Sequence, residues 1–211
     1  MNIGPVYLIV IALVLSYIIG SFPTAYIVVR LRRGVDIREL GSKNMGAMNV
    51  FYKVGMTEGF IVLATDIIKG ALAVFITYLF GLSLIVQFIS GAFVILGHTF
   101  PVFLKFRGGK GGATCIGVLI FLIPWAAPIY LGFFLTLMFL THFPTLSYSI
   151  AFICFPLVAW GIYHSGALII YSIVILLIPA LMYIPRVKEM YLKGGRSWRR
   201  VLFRRNLKDR L

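Results

Sequence analysis

The chain has 211 residues, of which 61% are apolar and only 12% are charged, and its formal net charge is +14 at pH 7. This composition excludes an ordinary soluble domain. It is typical of a membrane protein with several helices, because a helix needs about 20 apolar residues to cross the hydrocarbon core of a bilayer. The excess of Lys and Arg would suggest nucleic acid in a soluble protein, but neither aromatic platforms nor a soluble module accompanies it here. We therefore expect no nucleic-acid partner and assign the positive charge to loops beside anionic lipid headgroups.

Apolar runs divide the chain into predicted helices. Their bounds are 4–29, 57–80, 83–104, 112–123, 125–141, 146–163 and 166–184. The sequence therefore predicts an all-α, polytopic integral membrane protein with about seven transmembrane helices. The first run is expected to be a retained helix, since it is too long for the apolar part of a signal peptide. The fourth run is short and is interpreted as a re-entrant or half-length helix, because Pro124 and Pro128 follow it.

Charged residues are confined to a few segments, and these segments predict the orientation. No Asp, Glu, Lys or Arg lies between Gly70 and Leu104 or between Gly111 and Pro185. With the N-terminus outside, the polar segments lie inside, and the outside turns carry no Lys or Arg. These inside segments are 30–56, 105–111, 142–145 and 186–211. The positive-inside rule therefore predicts a cytoplasmic C-terminus and cytoplasmic polar loops.

The last residues of the chain are strongly basic. We predict a helical membrane domain over residues 1–185 and a basic cytoplasmic amphipathic tail over residues 186–211. Within this tail, Trp198, Val201 and Leu202 are interspersed with arginines, a pattern typical of a helix that lies on an anionic leaflet.

The polar segment that follows the first helix is rich in small hydrogen-bonding side chains. Ser42, Asn44 and Asn49 supply neutral groups that suit hydroxyl and phosphate oxygens, and Lys43 adds a positive charge. The alternative interpretation is an ordinary loop in which Ser42 or Asn44 caps the next helix.

Two ionisable residues lie inside the second predicted crossing. Asp66 and Lys69 are three positions apart, which places them on one face of the helix. Ionisable groups at membrane depth usually face a polar cavity or a partner. The pair is therefore interpreted either as a self-neutralising ion pair or as part of a polar site.

The segment 97–112 concentrates polar chemistry between two apolar runs. It contains His98, Lys105, Arg107 and Lys110 on a glycine-rich frame. Glycines allow successive backbone amides to point toward one place and bind an anion, with Lys110 as a point charge. The alternative is a tight cytoplasmic loop whose cations only follow topology. No His, Cys or acidic residues have the spacing of metal ligands, so we predict neither a metal nor a cofactor.

Several motifs occur in order along the first half of the chain. They are Gly20-Ser21-Phe22-Pro23-Thr24-Ala25-Tyr26, Gly41-Ser42-Lys43-Asn44-Met45-Gly46-Ala47-Met48-Asn49, Asp66-Ile67-Ile68-Lys69-Gly70, and the Gly-His-x-Phe-Pro-x-Phe-x-x-Phe-x-Gly-Gly-Lys-Gly run that begins at Gly97. This set resembles the bacterial membrane acyl-phosphate:glycerol-3-phosphate acyltransferase family. The resemblance implies a small helical protein of the bacterial inner membrane with a cytoplasmic site. It further implies acyl-phosphate and glycerol 3-phosphate as substrates, lysophosphatidic acid and inorganic phosphate as products, and membrane lipids as surroundings.

The resemblance also suggests roles for individual residues. The catalytic candidates are Ser42, His98 and Lys110. The substrate-binding candidates are Lys43, Asn44, Asn49, Lys53, Arg107, Gly108, Gly109, Gly111, Gly112, Thr114, Arg186 and Lys188. In this scheme the lysines and glycine amides hold phosphate charge, whereas the serine, asparagines and histidine orient the acceptor. A substrate phosphate serves as base, which fits a sequence without a recognisable carboxylate–histidine pair.

The chain departs from the family pattern at several positions. Lys43 stands in place of a Gly, Met48 in place of a Thr, and Tyr52 in place of an Arg. The His and Asn of a third motif are missing near residues 185–189. Lys53, Arg186 and Lys188 are therefore predicted as substitute charges. Two alternatives follow: a catalytically weakened relative that binds a phosphorylated lipid or a partner, and a small lipid transporter suggested by the intramembrane charges.

Overall fold

A computed structural model describes residues 5–193 and residue 195. Every regular element within these residues is helical, which confirms the predicted fold class. The α-helices are α1 (Val6–Ser21), α2 (Thr24–Arg33), α3 (Ala47–Lys53), α4 (Met56–Leu79), α5 (Leu84–Thr99), α6 (Gly112–Leu122), α7 (Ala126–Thr141), α8 (Pro144–Ala151), α9 (Cys154–Gly161), α10 (Gly166–Ile175) and α11 (Leu177–Lys193). Single 3₁₀ turns cover Ile37–Glu39 and Val102–Leu104.

Five helical stretches of the described chain are long and apolar enough to cross a membrane. They are Val6–Arg33, Met56–Leu79, Leu84–Leu104, Pro144–Gly161 and Gly166–Leu192. Helices α6 and α7 are shorter but also apolar. At a rise of about 1.5 Å per residue, the 11 residues of α6 do not span a hydrocarbon core of about 30 Å. The short fourth helix is thus confirmed, and a count of seven crossings stays a prediction.

The first compact unit extends to Leu122 and contains α1–α6. Helix α1 packs on α5, and α4 packs on α6. Glycines permit these close approaches: a Cβ at Gly20 would collide with the carbonyl of Val94, and one at Gly70 with the carbonyl of Thr114. Small residues are the usual solution where membrane helices pack backbone to backbone.

A buried chain of hydroxyls joins three helices of this unit. Ser16 of α1 and Ser90 of α5 share a hydrogen bond of 2.7 Å, and the hydroxyl of Thr77 on α4 lies within hydrogen-bond distance of that of Ser90, at 2.9 Å. All three side chains are buried. Since each hydroxyl has a partner, this network stabilises the packing of α1, α4 and α5 without an unpaired polar group.

The second compact unit begins at Ile123 and contains α7–α11. Aromatic rings from α7 and α9 fill its interior, with the centroids of Tyr130 and Phe155 5.4 Å apart. The predicted crossing 146–163 is interrupted between α8 and α9, and 166–184 is interrupted at Leu176. Helix α11 passes through residue 185 to Lys193, so the predicted domain boundary falls within a helix and stays a prediction. The predicted tail helix over 196–211 lies outside the described residues.

The first predicted crossing, 4–29, is not one continuous helix. Helix α1 ends at Ser21 and α2 begins at Thr24. Pro23 has no amide hydrogen and cannot continue the hydrogen-bond ladder of α1. This break lies beside the polar residues described next.

Candidate functional site

The break between α1 and α2 exposes a backbone carbonyl within the first unit. The carbonyl of Phe22 accepts hydrogen bonds from the Thr24 amide at 3.1 Å and from Lys69 Nζ at 3.4 Å. Lys69 of α4 thus donates to a backbone carbonyl at the point where Pro23 interrupts the first crossing.

Three ionisable side chains meet next to this break. Asp66 and Lys69 of α4 form an ion pair with Oδ1 and Nζ 2.7 Å apart, and Asp66 Oδ1 lies 3.5 Å from Nδ1 of His98 on α5. Their exposed fractions are 2% for Asp66, 5% for Lys69 and 7% for His98. The prediction that Asp66 and Lys69 share a helix face is confirmed. Buried charges of this kind persist only when they are paired, and here the carboxylate has two partners.

The cluster borders a small hollow in the first unit. The hollow is partly open to the outside, and its empty volume of about 210 Å³ includes that open space. It is lined by Ser21, Phe22, Pro23, Thr24, Ala25, Met45, Asp66, Lys69, His98, Pro101 and Gly109. The α1–α2 break, the loop before α3, helix α4 and the end of α5 therefore contribute to one polar site.

Of the predicted site residues, His98 and Gly109 line this hollow. Ser21, Thr24 and Met45 also line the hollow and are not among the predicted site residues, although all three lie in the quoted motifs. Asp66 and Lys69 are not among the predicted site residues either, but both interpretations offered for them fit, because they form an ion pair and line the hollow.

Asp66 and His98 form a carboxylate–histidine pair. The expectation that the chain has no such pair is therefore wrong. Asp66 and His98 are far apart in the chain and belong to different helices, so no local pattern reveals them. A carboxylate beside Nδ1 fixes the orientation of the imidazole and favours a proton on that nitrogen.

Two amides of the glycine-rich loop after α5 make hydrogen bonds within the protein. The Gly108 amide donates to the carbonyl of Thr99 at 3.0 Å, and the Gly109 amide donates to the carbonyl of His98 at 3.1 Å. Both amides are used to fold the loop back on α5, and the binding of phosphate by Gly108 and Gly109 stays a prediction. Gly109 is required for another reason: a Cβ there would collide with Nε2 of His98.

Asn49 orders the loop before α3. Its Oδ1 accepts from the Ser42 amide at 3.1 Å, and its Nδ2 donates to the carbonyls of Leu40 and Asn44, each at 3.0 Å. The side chain is buried with its polar atoms in use. This geometry gives Asn49 a structural role in the loop, and its contact with substrate stays a prediction. The capping alternative is wrong, since α3 follows Gly46 and has no side-chain cap.

The other predicted residues of the first unit differ in exposure. Ser42, Lys43, Lys53 and Arg107 are exposed, whereas Asn44, Lys110 and Gly112 are half-buried. Gly111 is buried in the left-handed region at φ +81°, and Thr114 is fully buried where α6 packs on α4. Their roles in binding stay predictions.

Arg186 and Lys188 lie on α11 of the second unit. Arg186 pairs with Glu189 one helical turn later, and Lys188 is exposed. Their role as substitute phosphate ligands stays a prediction. Across residues 5–193, no group of three or more His, Cys, Asp or Glu side chains is arranged to hold a metal ion.

Comparisons with known proteins show which family contains this fold and site. Residues 10–191 match the model of the family described as glycerol-3-phosphate acyltransferase. The chain belongs to this family. The resemblance inferred from motifs in the first half is thereby confirmed over nearly the whole chain.

Individual relatives support the same assignment. A protein named glycerol-3-phosphate acyltransferase 2 from Dehalococcoides mccartyi (strain 195) is 50% identical over 205 residues, which cover 97% of this chain and 98% of that protein. The glycerol-3-phosphate acyltransferase of Bacillus subtilis (strain 168) is 39% identical over 166 residues, which cover 79% and 86%. A crystal structure of the integral membrane glycerol 3-phosphate acyltransferase PlsY, in its glycerol 3-phosphate form, has a TM-score of 0.79 at 28% identity. That match covers 90% of this chain and 94% of PlsY. The protein is therefore a multi-pass membrane protein.

Proposed function

We propose that this glycerol-3-phosphate acyltransferase transfers the acyl group of an acyl-phosphate to the sn-1 hydroxyl of glycerol 3-phosphate. The observation that carries this proposal is the family match over residues 10–191. Structures of PlsY in a glycerol 3-phosphate form and a lysophosphatidic acid form support the choice of acceptor and product.

The reaction needs positioning and charge stabilisation more than a covalent nucleophile. The hydroxyl oxygen of the acceptor attacks the acyl carbon, an ester bond forms, and the bond from the acyl carbon to the phosphate oxygen breaks. Phosphate departs with the bonding pair and takes up the hydroxyl proton, so the products are lysophosphatidic acid and inorganic phosphate. Acyl-phosphate is already activated, and the protein therefore mainly orients two anionic substrates.

The buried cluster supplies orientation in this scheme. His98 hydrogen-bonds the reacting hydroxyl, and Asp66 holds the imidazole ring through Nδ1. Lys69 pairs with the Asp66 carboxylate and ties α4 to the α1–α2 break. Because the three side chains are buried together, the ring has little freedom to leave its position.

The loop cations supply charge for the phosphate groups. Lys110 directly follows Gly109, which lines the hollow, and Lys43 and Arg107 lie on the two loops that border it. Positive side chains at these places stabilise charge as the phosphate departs. Ser42 and Asn44 belong to the same loop as Met45 and orient the acceptor from that side.

The cellular setting follows from the charge pattern. We place the protein in the bacterial inner membrane with its N-terminus outside and its site and C-terminus in the cytoplasm, because the outside turns of the predicted topology carry no Lys or Arg. The acyl-phosphate chain enters from the bilayer between helices.

The two alternatives receive less support. A relative that shares half of its residues over nearly the full length carries the acyltransferase name. The buried charges that suggested a transporter form a closed cluster beside the hollow. Acyl transfer therefore remains the function that the geometry supports best.

Paired charge variants test this function. The purified protein in detergent should release phosphate from acyl-phosphate when glycerol 3-phosphate is present. Lys110→Gln should lower this release at least tenfold, whereas Lys105→Gln, which removes the same charge from the same loop at an exposed site, should leave it nearly unchanged. No release by the wild-type protein above the Lys110→Gln background would contradict the proposal.

A further inference from the structure

Two buried hydroxyls at the candidate site have no hydrogen-bond partner. Among the described residues, four buried hydroxyls are unpaired: those of Ser21, Thr24, Ser83 and Thr114. Ser21 and Thr24 line the hollow beside Asp66 and His98. Their exposed fractions are 0% and 4%. A buried hydroxyl without a partner is unfavourable, and most such groups in folded proteins are paired.

The rest of the first unit shows how such hydroxyls are normally satisfied. Ser16, Thr77 and Thr99 each donate to the carbonyl four residues earlier, at 2.7 to 2.9 Å. Ser21 is also helical but makes no such bond, and Thr24 begins a new helix after Pro23. The break in the first crossing therefore presents two unsatisfied hydroxyls on either side of one proline.

The charge of the hollow indicates which ligand group these hydroxyls bind. The ionised residues that line it are Asp66 and Lys69, and their charges cancel within one ion pair. A neutral pocket with donors and acceptors suits an uncharged hydroxyl, whereas a phosphate dianion is better placed near the loop cations. Serine and threonine hydroxyls both donate and accept, so they match either direction of such a bond.

We propose that Ser21 and Thr24 bind the non-reacting sn-2 hydroxyl of the acceptor and so select a glycerol backbone. This inference rests on the proposed function. With the sn-2 hydroxyl held at the α1–α2 break, the neighbouring sn-1 hydroxyl is placed near His98. The two residues act as specificity determinants, and the phosphate-binding loops do not depend on them.

Two acceptors and two conservative variants test this inference. The acceptors are glycerol 3-phosphate and 3-hydroxypropyl phosphate, which keeps the phosphate and the primary hydroxyl but lacks the sn-2 hydroxyl. Thr24→Val and Ser21→Ala should each lower kcat/KM for glycerol 3-phosphate about 3- to 10-fold, the range for one lost hydrogen bond. For 3-hydroxypropyl phosphate both variants should equal the wild type, and Thr24→Ser should recover the preference for glycerol 3-phosphate.

Ser83→Ala provides the matched control. Ser83 also has an unpaired buried hydroxyl, but it precedes α5 at the end opposite His98, about 22 Å away along the helix axis. This variant should keep the wild-type preference. Because the hydroxyls of Ser21 and Thr24 make no hydrogen bond to other groups of the described chain, their removal should not lower Tm in detergent.

The outcomes separate this inference from the proposed function. Equal losses with both acceptors would overturn the inference alone, because the hydroxyls would then not contact the sn-2 group. An unchanged kcat/KM for glycerol 3-phosphate in both variants would also overturn it. If the wild-type protein acylates neither of the two acceptors, the proposed function is overturned together with the inference.

Discussion

Asp66 on α4 and His98 on α5 form a buried carboxylate–histidine pair, with Oδ1 and Nδ1 3.5 Å apart. Lys69 contacts the same carboxylate oxygen at 2.7 Å. One carboxylate thus neutralises a lysine and orients an imidazole. This relationship links the charges inside the second crossing to the histidine motif of the third.

Removing this carboxylate should affect stability and catalysis separately. Asp66→Asn leaves Lys69 as a buried, uncompensated charge, and breaking such a pair costs about 3–5 kcal/mol of stability. The double variant Asp66→Asn/Lys69→Gln removes both charges and should recover most of the lost stability. It should keep a kcat at least tenfold below wild type with a smaller change in KM, because His98 is no longer oriented. Thermal unfolding in detergent and steady-state kinetics measure the two effects, and full activity in the double variant would contradict the role of Asp66.

Gly109 should be intolerant of a side chain. A Cβ at this position collides with Nε2 of His98, so Gly109→Ala displaces the imidazole or the loop. We expect kcat to fall at least tenfold. Gly132→Ala is the control, since no atom lies near its added Cβ and alanine favours the helix. Equal activity in the two variants would show that the contact between Gly109 and His98 has no catalytic consequence.

Asn49 should control the order of the loop before α3. Asn49→Asp removes the two donors to the carbonyls of Leu40 and Asn44. We expect faster hydrogen exchange over residues 40–46 and a KM for glycerol 3-phosphate that rises several-fold. Gln87→Glu serves as control, because it loses a similar amide donor to the Leu82 carbonyl at the start of α5. Unchanged exchange in Asn49→Asp would refute its structural role.

Much of the architecture follows from the sequence, because the apolar runs and the charge-free segments are long. Helix α4 begins and ends within one residue of the predicted bounds 57–80. The break at Pro23 was not predicted, since the apolar character of the run continues on both sides of it. The hydropathy of a segment indicates whether it is buried in lipid. It does not show that the helix ends because Pro23 lacks a backbone amide hydrogen.

The composition of the site was harder to predict than its location. The glycine and asparagine motifs are recognisable in the sequence, but the partners of Gly108, Gly109 and Asn49 are set by tertiary folding of the loops. The pairing of Asp66 with His98 depends on the packing of α4 on α5. Ser21 and Thr24 gave no signal of their own, because an unpaired hydroxyl is visible only once its surroundings are known.

The turn after α2 should respond to acid. Arg38 donates to both carboxylate oxygens of Asp36 and also to the carbonyl of Leu104 at 3.2 Å. The hydrogen bonds from the Arg38 guanidinium hold the pKa of Asp36 below its ordinary value of 3.8. The ionised form is therefore favoured in the folded state. The stability from this pair is present above the ordinary pKa of 3.8, which applies in the unfolded chain, and is lost as pH falls through the lower folded pKa.

A variant without this carboxylate should lack that part of the pH dependence. We expect the Asp36→Asn variant to have a lower Tm in detergent than the wild type at pH 7. The difference between the two Tm values should shrink as the pH falls below about 4. Glu39→Gln, in the same turn, should keep the wild-type dependence. A constant difference in Tm between Asp36→Asn and wild type from pH 7 to pH 3 would exclude a contribution from Asp36 ionisation.

The most direct test of the account measures both products of one reaction. Purified protein is given acyl-phosphate and glycerol 3-phosphate, and phosphate is measured by colorimetry and lysophosphatidic acid by mass spectrometry. Acyl transfer predicts equal molar amounts of the two products and phosphate release that requires the acceptor. Phosphate release without lysophosphatidic acid, or no release at all, would contradict the proposed reaction.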